Sequence, residues 1–369
     1  MISACRRLRC LTLLFPLLSP ACSQDGDGDD GVRVPVTVMT RNLYLGSDLS
    51  SVVLANSLET LQSNSDVFWQ TVQKSDIPGR AKLLAAEIAS ASPDLLGLQE
   101  VEMFRLQTPG DLNPAAPVIN AEVVVYDFLP LLQAELVALG QTYVVAAINT
   151  LSDVEAPARA VDGSLYDIRM TDRDVILVKQ GVVFSNPVSR VFSKYVEIQL
   201  AGLASFPAQL KRGLSTIDVS IGGATVVFAN VHLEVGGLLE SFQRDQAREL
   251  ITLLESRKEQ ILLVGDINSS ADPEFGASFM DIDKSFNDAW PRLSMPGVAK
   301  TCCRDLAATP IGPEGQRIDV VLTRGPVTAL AGRVTGNDAT TRTASGLAAS
   351  DHAGVVMQLG IKPAPPAKP

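Results

Sequence analysis

Ile261-Leu262-Leu263-Val264-Gly265-Asp266-Ile267-Asn268 is an apolar run, a glycine, and then a carboxylate and an amide two positions apart. Consecutive apolar residues with no polar alternate suit a short strand covered on both faces. The strand ends bare, with its acid directly after the glycine. Asp266 and Asn268 then hold alternate positions of one turn, so both can face the same site.

The same arrangement recurs along the chain. Residues 32–39 form a β-branched run that delivers Thr40-Arg41-Asn42, and Leu95-Leu96-Gly97-Leu98 runs into Gln99-Glu100. Residues 214–221 and 224–231 form a hairpin around Gly222-Gly223 that ends on Asn230-Val231-His232. Residues 317–322 open with Arg317-Ile318-Asp319, and residues 353–359 follow Ser350-Asp351-His352. Bare apolar strands that each meet a polar group predict a two-layer or sandwiched sheet core flanked by helices. Functional groups then gather where the strand ends converge on loops.

Between these strands the pattern predicts a turn at residues 77–79 and a helix over 80–91, stopped by Ser92-Pro93. Residues 105–121 read as a loop or insertion, 126–139 as a helix and 143–148 as a strand. Residues 174–179 and 181–184 read as two strands meeting at a turn, and 238–256 as an amphipathic helix. The Pro/Ala/Lys-rich tail 362–369 is expected to be disordered.

The chain has 369 residues, 46% of them hydrophobic, enough to bury a large core. With no composition break, one large domain over 33–361 is expected, as a monomer. A net charge of −10 argues against broad electrostatic capture of nucleic acid. That argument is limited, because a cation-bearing site is locally positive on an acidic protein. After residue 30 no apolar run is long enough to span a bilayer.

Arg6, Arg7 and Arg9, an apolar stretch at 11–18 and Ser19-Pro20-Ala21-Cys22 have the three-part layout of a secretory signal over 1–22. The small residue before Cys22 resembles a bacterial lipoprotein cleavage site, although Leu18 stands one place early and Pro20 is unusual there. Export to a bacterial cell envelope or to the medium is therefore expected, with a lipid anchor at Cys22. The acidic segment 23–32 reads as a flexible tether, since no glutamate closes it as a calcium loop. Only Cys302 and Cys303 remain in the body of the chain. A disulfide is permissible after export, but between neighbours it needs a strained ring. No second ligand pair adjoins them in sequence for structural zinc. The pair reads better as a buried loop anchor than as a nucleophile.

Arg41-Asn42-Leu43-Tyr44, Leu98-Gln99-Glu100-Val101, Asn230-Val231-His232, Gly265-Asp266-Ile267-Asn268, Arg317-Ile318-Asp319 and Ser350-Asp351-His352 contain both histidines of the protein. In this order they resemble the endonuclease/exonuclease/phosphatase superfamily, whose members include DNase I-like nucleases, neutral sphingomyelinases and inositol polyphosphate 5-phosphatases. The resemblance runs over about residues 34–359. Asn42-Leu43-Tyr44-Leu45-Gly46 looks like an exported bacterial subgroup. The resemblance implies an α+β fold, with two packed, mostly antiparallel sheets flanked by helices in the four-layer DNase I-like arrangement. It also implies a phosphodiesterase that acts on DNA, RNA or a phospholipid head group.

The residue types suit that chemistry. Phosphodiester hydrolysis needs an activated water and a means of absorbing charge on the phosphoryl oxygens. Carboxylates with an amide suit Mg2+, Mn2+ or Ca2+. Glu100 and Asn42 match the positions that hold the ion in the family, with Asp351 as a third ligand. His352 is the base candidate, since an imidazole titrates near neutral pH. The family pattern makes Asp319 its orienting acceptor. Asp266 then holds the attacking water, while Asn268 and His232 donate to phosphoryl oxygens. Family members give the equivalent of His232 an acidic partner. Asp172 or Asp174, two apart and so on one face of a strand, can serve, and the sequence does not choose between them. Arg173, Lys211 and Arg212 are candidate substrate contacts. Many relatives place an acid where Tyr44 stands, so Tyr44 is read as a substrate contact and a second ion is put in doubt.

Each residue alone has an ordinary explanation. Glu100 can be a solvated strand end, Asp266 and Asn268 an Asx turn, His232 a satisfied core histidine, and Asp319 a partner of Arg317. The competing function is a surface binding protein that keeps the fold without catalysis. A serine esterase is excluded by the lack of any Gly-x-Ser-x-Gly segment. A nuclease would want aromatic and arginine residues around the cleft, and the chain is 5% aromatic. A membrane-acting enzyme would want an exposed apolar hairpin, for which residues 200–210 with Phe206 are the candidate.

Overall fold

Val38 and Met39 are neighbours in the strand Val34–Asn42, and both are fully buried, yet they belong to different apolar clusters. The same holds for Leu95 and Leu96, for Ile176 and Leu177, for Phe228 and Ala229, and for Leu262 and Leu263. Successive strand side chains point to opposite faces, so a run buried at every position must be covered on both sides. This is why the runs do not alternate with polar residues.

The computed structural model describes residues 32–204, 207–271, 276–291, 300–307, 310–312 and 315–363. The signal with Cys22, most of the 23–32 tether, Phe206, and residues 364–369 of the tail lie outside them. From Arg33 onward the chain forms one compact unit.

Two mixed sheets make the centre. The larger has eight strands. Val34–Asn42 is its hub, antiparallel to Gly354–Ile361 and parallel to Leu95–Gln99. The other has six strands, in which Ala224–His232 runs parallel to Gln260–Asp266 and the latter antiparallel to Asp319–Arg324. Val36, Val38, Ile176 and Met357 of the first sheet meet Phe228, Leu262, Val264 and Val321 of the second. The outer face of the larger sheet is covered by helices Leu58–Lys74, Ile77–Ala91 and Phe128–Ala138. Glu240–Glu255 and Ala277–Asp283 cover the other. The four layers are those expected.

Several local expectations are corrected. Residues 77–79 are the first turn of the helix Ile77–Ala91: Pro78 falls where a helix tolerates proline, and the Asp76 carboxylate caps it by accepting from Gly79 N at 3.1 Å. The helix expected from 126 begins at Phe128, because Tyr126 and Asp127 end the strand Val123–Asp127, and Asp127 caps the helix. The strand expected over 143–148 continues to Arg159 against Leu165–Lys179, with bulges that absorb its irregular pattern. The helix Leu58–Lys74 and the edge strand Thr328–Thr335, none of whose residues is fully buried, had no counterpart in the pattern reading. In the candidate apolar hairpin, Leu200, Leu203 and Ala208 are buried in the core and not offered to a membrane. Among the described residues no helix is long and apolar enough to cross a membrane.

Candidate active site

The strand registers bring the scattered motifs together. In the larger sheet Asn42 pairs with Gln99, which places Glu100 one residue further on. In the other sheet His232, Asp266 and Asp319 lie in one row across three strands. The two row ends face each other because the sheets pack closely beneath them. A Cβ on Gly97 would lie 2.5 Å from Val264 and 2.6 Å from the Asn230 amide. Gln99 Nε2 donates to Asn230 Oδ1 at 2.6 Å, and Asn230 Nδ2 donates to Leu98 O at 2.9 Å. Gln99 and Asn230, read as motif members, thus stitch the sheets together under the site. Gly265 is required for a separate reason. Its φ is +153°, and a Cβ there would sit 2.0 Å from Val231 O.

Above this floor Asn42 bridges the sheets. Its Nδ2 donates to Glu100 Oε1 at 2.9 Å and to Asp266 Oδ2 at 3.1 Å. Glu100 Oε2 accepts from Leu45 N at 2.6 Å, and Asn42 Oδ1 accepts from Tyr44 N at 2.8 Å. Asp266 Oδ1 accepts from Asn268 N at 2.8 Å, while its Oδ2 lies 3.7 Å from His352 Nε2 and 3.9 Å from His232 Nε2. His352 Nδ1 meets Asp319 Oδ2 at 2.8 Å. Asn268 Nδ2 donates to Leu233 O at 2.9 Å and lies 3.4 Å from His232 Nε2. Asn42, Glu100, Asp266, Asn268, His232, Asp319 and His352 are therefore one connected network. Asp351 joins it electrostatically, acting on His352, Tyr44 and Arg80.

The open choice between two acids is resolved by position. Asp174 Oδ1 is 3.6 Å from His232 Nδ1, whereas Asp172 faces Arg212 at 3.7 Å. Arg212 Nη1 lies 3.1 Å from both ring nitrogens of His232 and its Nη2 is 3.5 Å from Glu234. Two expected contacts fall outside the cluster. Arg173 stands between Asp172 and Asp174 on one strand, so it points to the opposite face, where it binds Val101 O and Asp127. Lys211, in the connection between two strands, lies over the Tyr195 ring. Tyr44 has a left-handed backbone, stacks on Arg80 and is half-buried; burial, followed by Asp351, pushes its phenol up to about 12.

The electrostatics are dominated by buried acid. Burial first, then Asp319, pushes Asp266 up to about 7. Burial also lifts Asp351 and Asp172 to about 6 each, and raises Glu102 and Asp174 well above the carboxylate range. For His352, burial favours the neutral ring, but Asp319, Asp351 and Asp266 outweigh it and hold the imidazole well above its usual value. His232 goes the other way: burial, then Arg212, keeps it neutral.

Residues without an assigned role in the sequence also matter. Glu102 and Glu234 are almost fully buried, each two residues beyond a motif member but past the end of its strand, so strand periodicity gave no signal for them. Three buried arginines clamp the loops that carry the site. Arg41 Nη1 holds His352 O at 2.8 Å, Arg80 holds Leu43 O, Tyr44 O and Ala349 O, and Arg304 Nε holds Ser350 O at 3.0 Å. Arg41 also pairs with Glu87 at 3.0 Å.

The family profile described as "Endonuclease/Exonuclease/phosphatase family" matches residues 64–352, more than half of the chain. The chain belongs to that family, whose members are hydrolytic phosphoesterases. Similar solved structures include an endonuclease/exonuclease/phosphatase from Beutenbergia cavernae, 21% identical over 91% of this chain and 74% of that one, with a TM-score of 0.51. A family protein from Leptotrichia buccalis is 13% identical over 88% of this chain and 99% of that one, at TM-score 0.50. TDP2 from D. rerio, complexed with single strand DNA product, is 16% identical over 88% and 98%, also at 0.50. At these identities the likeness is one of fold. No curated protein matches the chain.

Proposed function

We propose that the protein is a divalent-metal-dependent phosphodiesterase in which His352 activates the attacking water. The observation that carries this reading is the single network joining Asn42, Glu100, Asp266 and the His352–Asp319 pair across two sheets.

The residues fit a hard cation. Oxygen atoms of Asp174, Glu234 and Asp319 are buried without a hydrogen-bond partner among the described residues, and the buried Glu102 and Asp172 have only each other's carboxyl within hydrogen-bond reach of their remaining oxygens. Asp266, Asp351 and Asp172 are raised first by burial, with neighbouring carboxylates adding to it (Asp319 on Asp266, Glu100 on Asp351 and Asp172), and a bound cation would favour their charged forms. Glu100, Asn42 and Asp351 would hold the ion, with Mg2+, Mn2+ or Ca2+ matching their oxygen donors. Bound there, such an ion supplies positive charge to the phosphoryl oxygens and weakens the acidic field that keeps His352 protonated.

The chain's own groups perform the rest. Asp319 fixes Nδ1 of His352 and leaves Nε2 for a water that Asp266 Oδ2 also contacts. The water oxygen attacks phosphorus, its proton passes to Nε2, and the ester bond to the leaving oxygen breaks. With its single proton on Nε2, neutral His232 donates to a phosphoryl oxygen beside Asn268 Nδ2, while its accepting Nδ1 faces Arg212 and the buried Asp174 carboxyl. A complete set of such groups argues against a purely binding role.

Because a neighbouring fold is described with single-stranded DNA product, single-stranded DNA is the first substrate to try, beside RNA and a choline-bearing or inositol-bearing phospholipid. The test is a hydrolysis panel with Mg2+, Mn2+ or Ca2+, comparing the protein with His352→Ala. The reading expects at least one phosphodiester to be cleaved and the variant to lose about 10²–10⁴-fold in kcat. Equal rates in the two proteins, or no cleavage of any phosphodiester, would refute it.

A further inference from the structure

Residues 301–304 run alongside the His352 loop. Ala353 N donates to Thr301 O at 2.7 Å, and Arg304 N donates to Asp351 O at 3.2 Å. These two backbone bonds flank Cys302 and Cys303 and set them opposite His352. A second pair of bonds, Cys302 N to Gln316 O at 2.9 Å and Gln316 N to Cys302 O at 2.6 Å, ties the segment to the approach to Asp319. Both sulfurs and a ring nitrogen of His352 lie within 4.8 Å of one another. The same imidazole belongs to a second group with Asp266 and Asp319. His352 therefore sits between a hard oxygen set and a soft sulfur set. In the structure the two sulfurs are joined. Cys302 is buried, while Cys303 is exposed on the wall of a cavity of about 350 Å3 shared with Asn268, Ser269, Gln316 and Ile318.

We propose that Cys302 and Cys303, once reduced, form with His352 a site for one thiophilic divalent cation such as Zn2+, and that filling it inhibits the enzyme by withdrawing His352. A dithiol reductant opens the bond: two electrons and two protons pass to the sulfurs while the reductant closes to its own disulfide. Binding of the cation then releases to solvent the two thiol protons and the proton on the ligating ring nitrogen of His352. Zn–S of about 2.3 Å and Zn–N of about 2.0 Å place tetrahedral ligand atoms roughly 3.5–3.8 Å from one another; the ring nitrogen already lies within 4.8 Å of both sulfurs, and the sulfurs, bonded in the structure, separate to that distance once reduced. Sequence alone offers no further ligand beside the cysteine pair; the fold supplies one from fifty residues away. Thiolates select such ions over Mg2+, so this site and the oxygen donors Glu100, Asn42 and Asp351 answer to different metals. In the joined form the sulfurs are neutral and the site does not exist, so oxidation protects activity from zinc. The inhibitory consequence rests on the reading of His352 as the base; the binding does not.

The probe is Cd2+ added to the full chain after reduction by dithiothreitol and removal of the reductant. Uptake is followed by the ultraviolet thiolate-to-metal band, and Zn2+ inhibition is assayed in parallel. Wild type is compared with Cys302→Ser/Cys303→Ser, which keeps the three N-terminal cysteines and so subtracts their contribution. Cys303→Ser alone, at an exposed position, guards against misfolding of the double variant. The expected result is a band in reduced wild type that exceeds that of the double variant by the equivalent of one Cd2+, an excess absent from the oxidised protein. His352→Ala should lose more affinity than the roughly 10–100-fold that an outer-shell partner contributes. A band of equal size in reduced wild type and the double variant would overturn the proposal. So would an unchanged affinity in His352→Ala, or in Cys303→Ser. If no substrate is ever cleaved, the Cd2+ result still stands or falls by itself.

Discussion

The pair His352–Asp319 is the shortest contact between two titratable catalytic candidates, 2.8 Å between Nδ1 and Oδ2, and both partners are buried. A carboxylate there fixes the ring tautomer so that Nε2 faces Asp266. Asp319→Asn keeps the shape but reverses one hydrogen-bond preference. We predict a fall in kcat of about 10³–10⁴-fold with little change in the thermal midpoint, measured on whichever phosphodiester the panel identifies. A variant with wild-type kcat would remove Asp319 from the mechanism. Chemical type and order in the sequence were enough to bring Asn42, Glu100, His232, Asp266, Asn268, Asp319 and His352 under suspicion. They could not decide Asp174 over Asp172, because that depends on which neighbouring strand presents His232. Nor could they place Arg173, since strand facing was not fixed until the register was known, or separate Lys211 from Arg212, which lie in a connection between strands.

The strands explain why seven side chains from distant segments meet. Four apolar runs end within one residue of a site group, and the hairpin around Gly222-Gly223 is where its turn signal placed it. The reading failed where tertiary context overruled local punctuation. Pro78 and Gly79 look like a turn but open a helix capped by Asp76. The helix Leu58–Lys74 is rich in Ser, Thr, Asn and Gln, which dilutes its apolar stripe, and it becomes legible only through Leu61, Phe68, Trp69 and Val72 packed on the larger sheet. Gln99 and Asn230 show the opposite case: they look like site residues by motif and serve as the inter-sheet stitch. Asn230→Ala would leave Leu98 O and Gln99 Nε2 buried without their partner. A loss of at least about 1–3 kcal/mol is expected from urea unfolding, with any fall in activity following the fraction unfolded. A loss under about 0.5 kcal/mol would mean the stitch is not structural.

Over the whole molecule the net charge of −10 is partly concentrated in one buried place. Asp266 at about 7 and Asp351 and Asp172 at about 6 lie above the ordinary carboxylate value of about 4. Without a cation, the folded state then binds more protons than the unfolded chain between about pH 4 and 7, so these groups reduce stability as pH rises through that window. A divalent cation replaces those protons. The direct test is the thermal midpoint with and without Mn2+ at pH 5 and at pH 8, for wild type and Glu100→Gln. Wild type should gain roughly 5 °C at pH 8 when Mn2+ is about 100-fold above its Kd, corresponding to about 2.7 kcal/mol, and clearly less at pH 5. Glu100→Gln should lose most of the gain at pH 8. An Mn2+ shift that ignores pH, or one that survives intact in Glu100→Gln, would contradict a cation held where these strand ends converge.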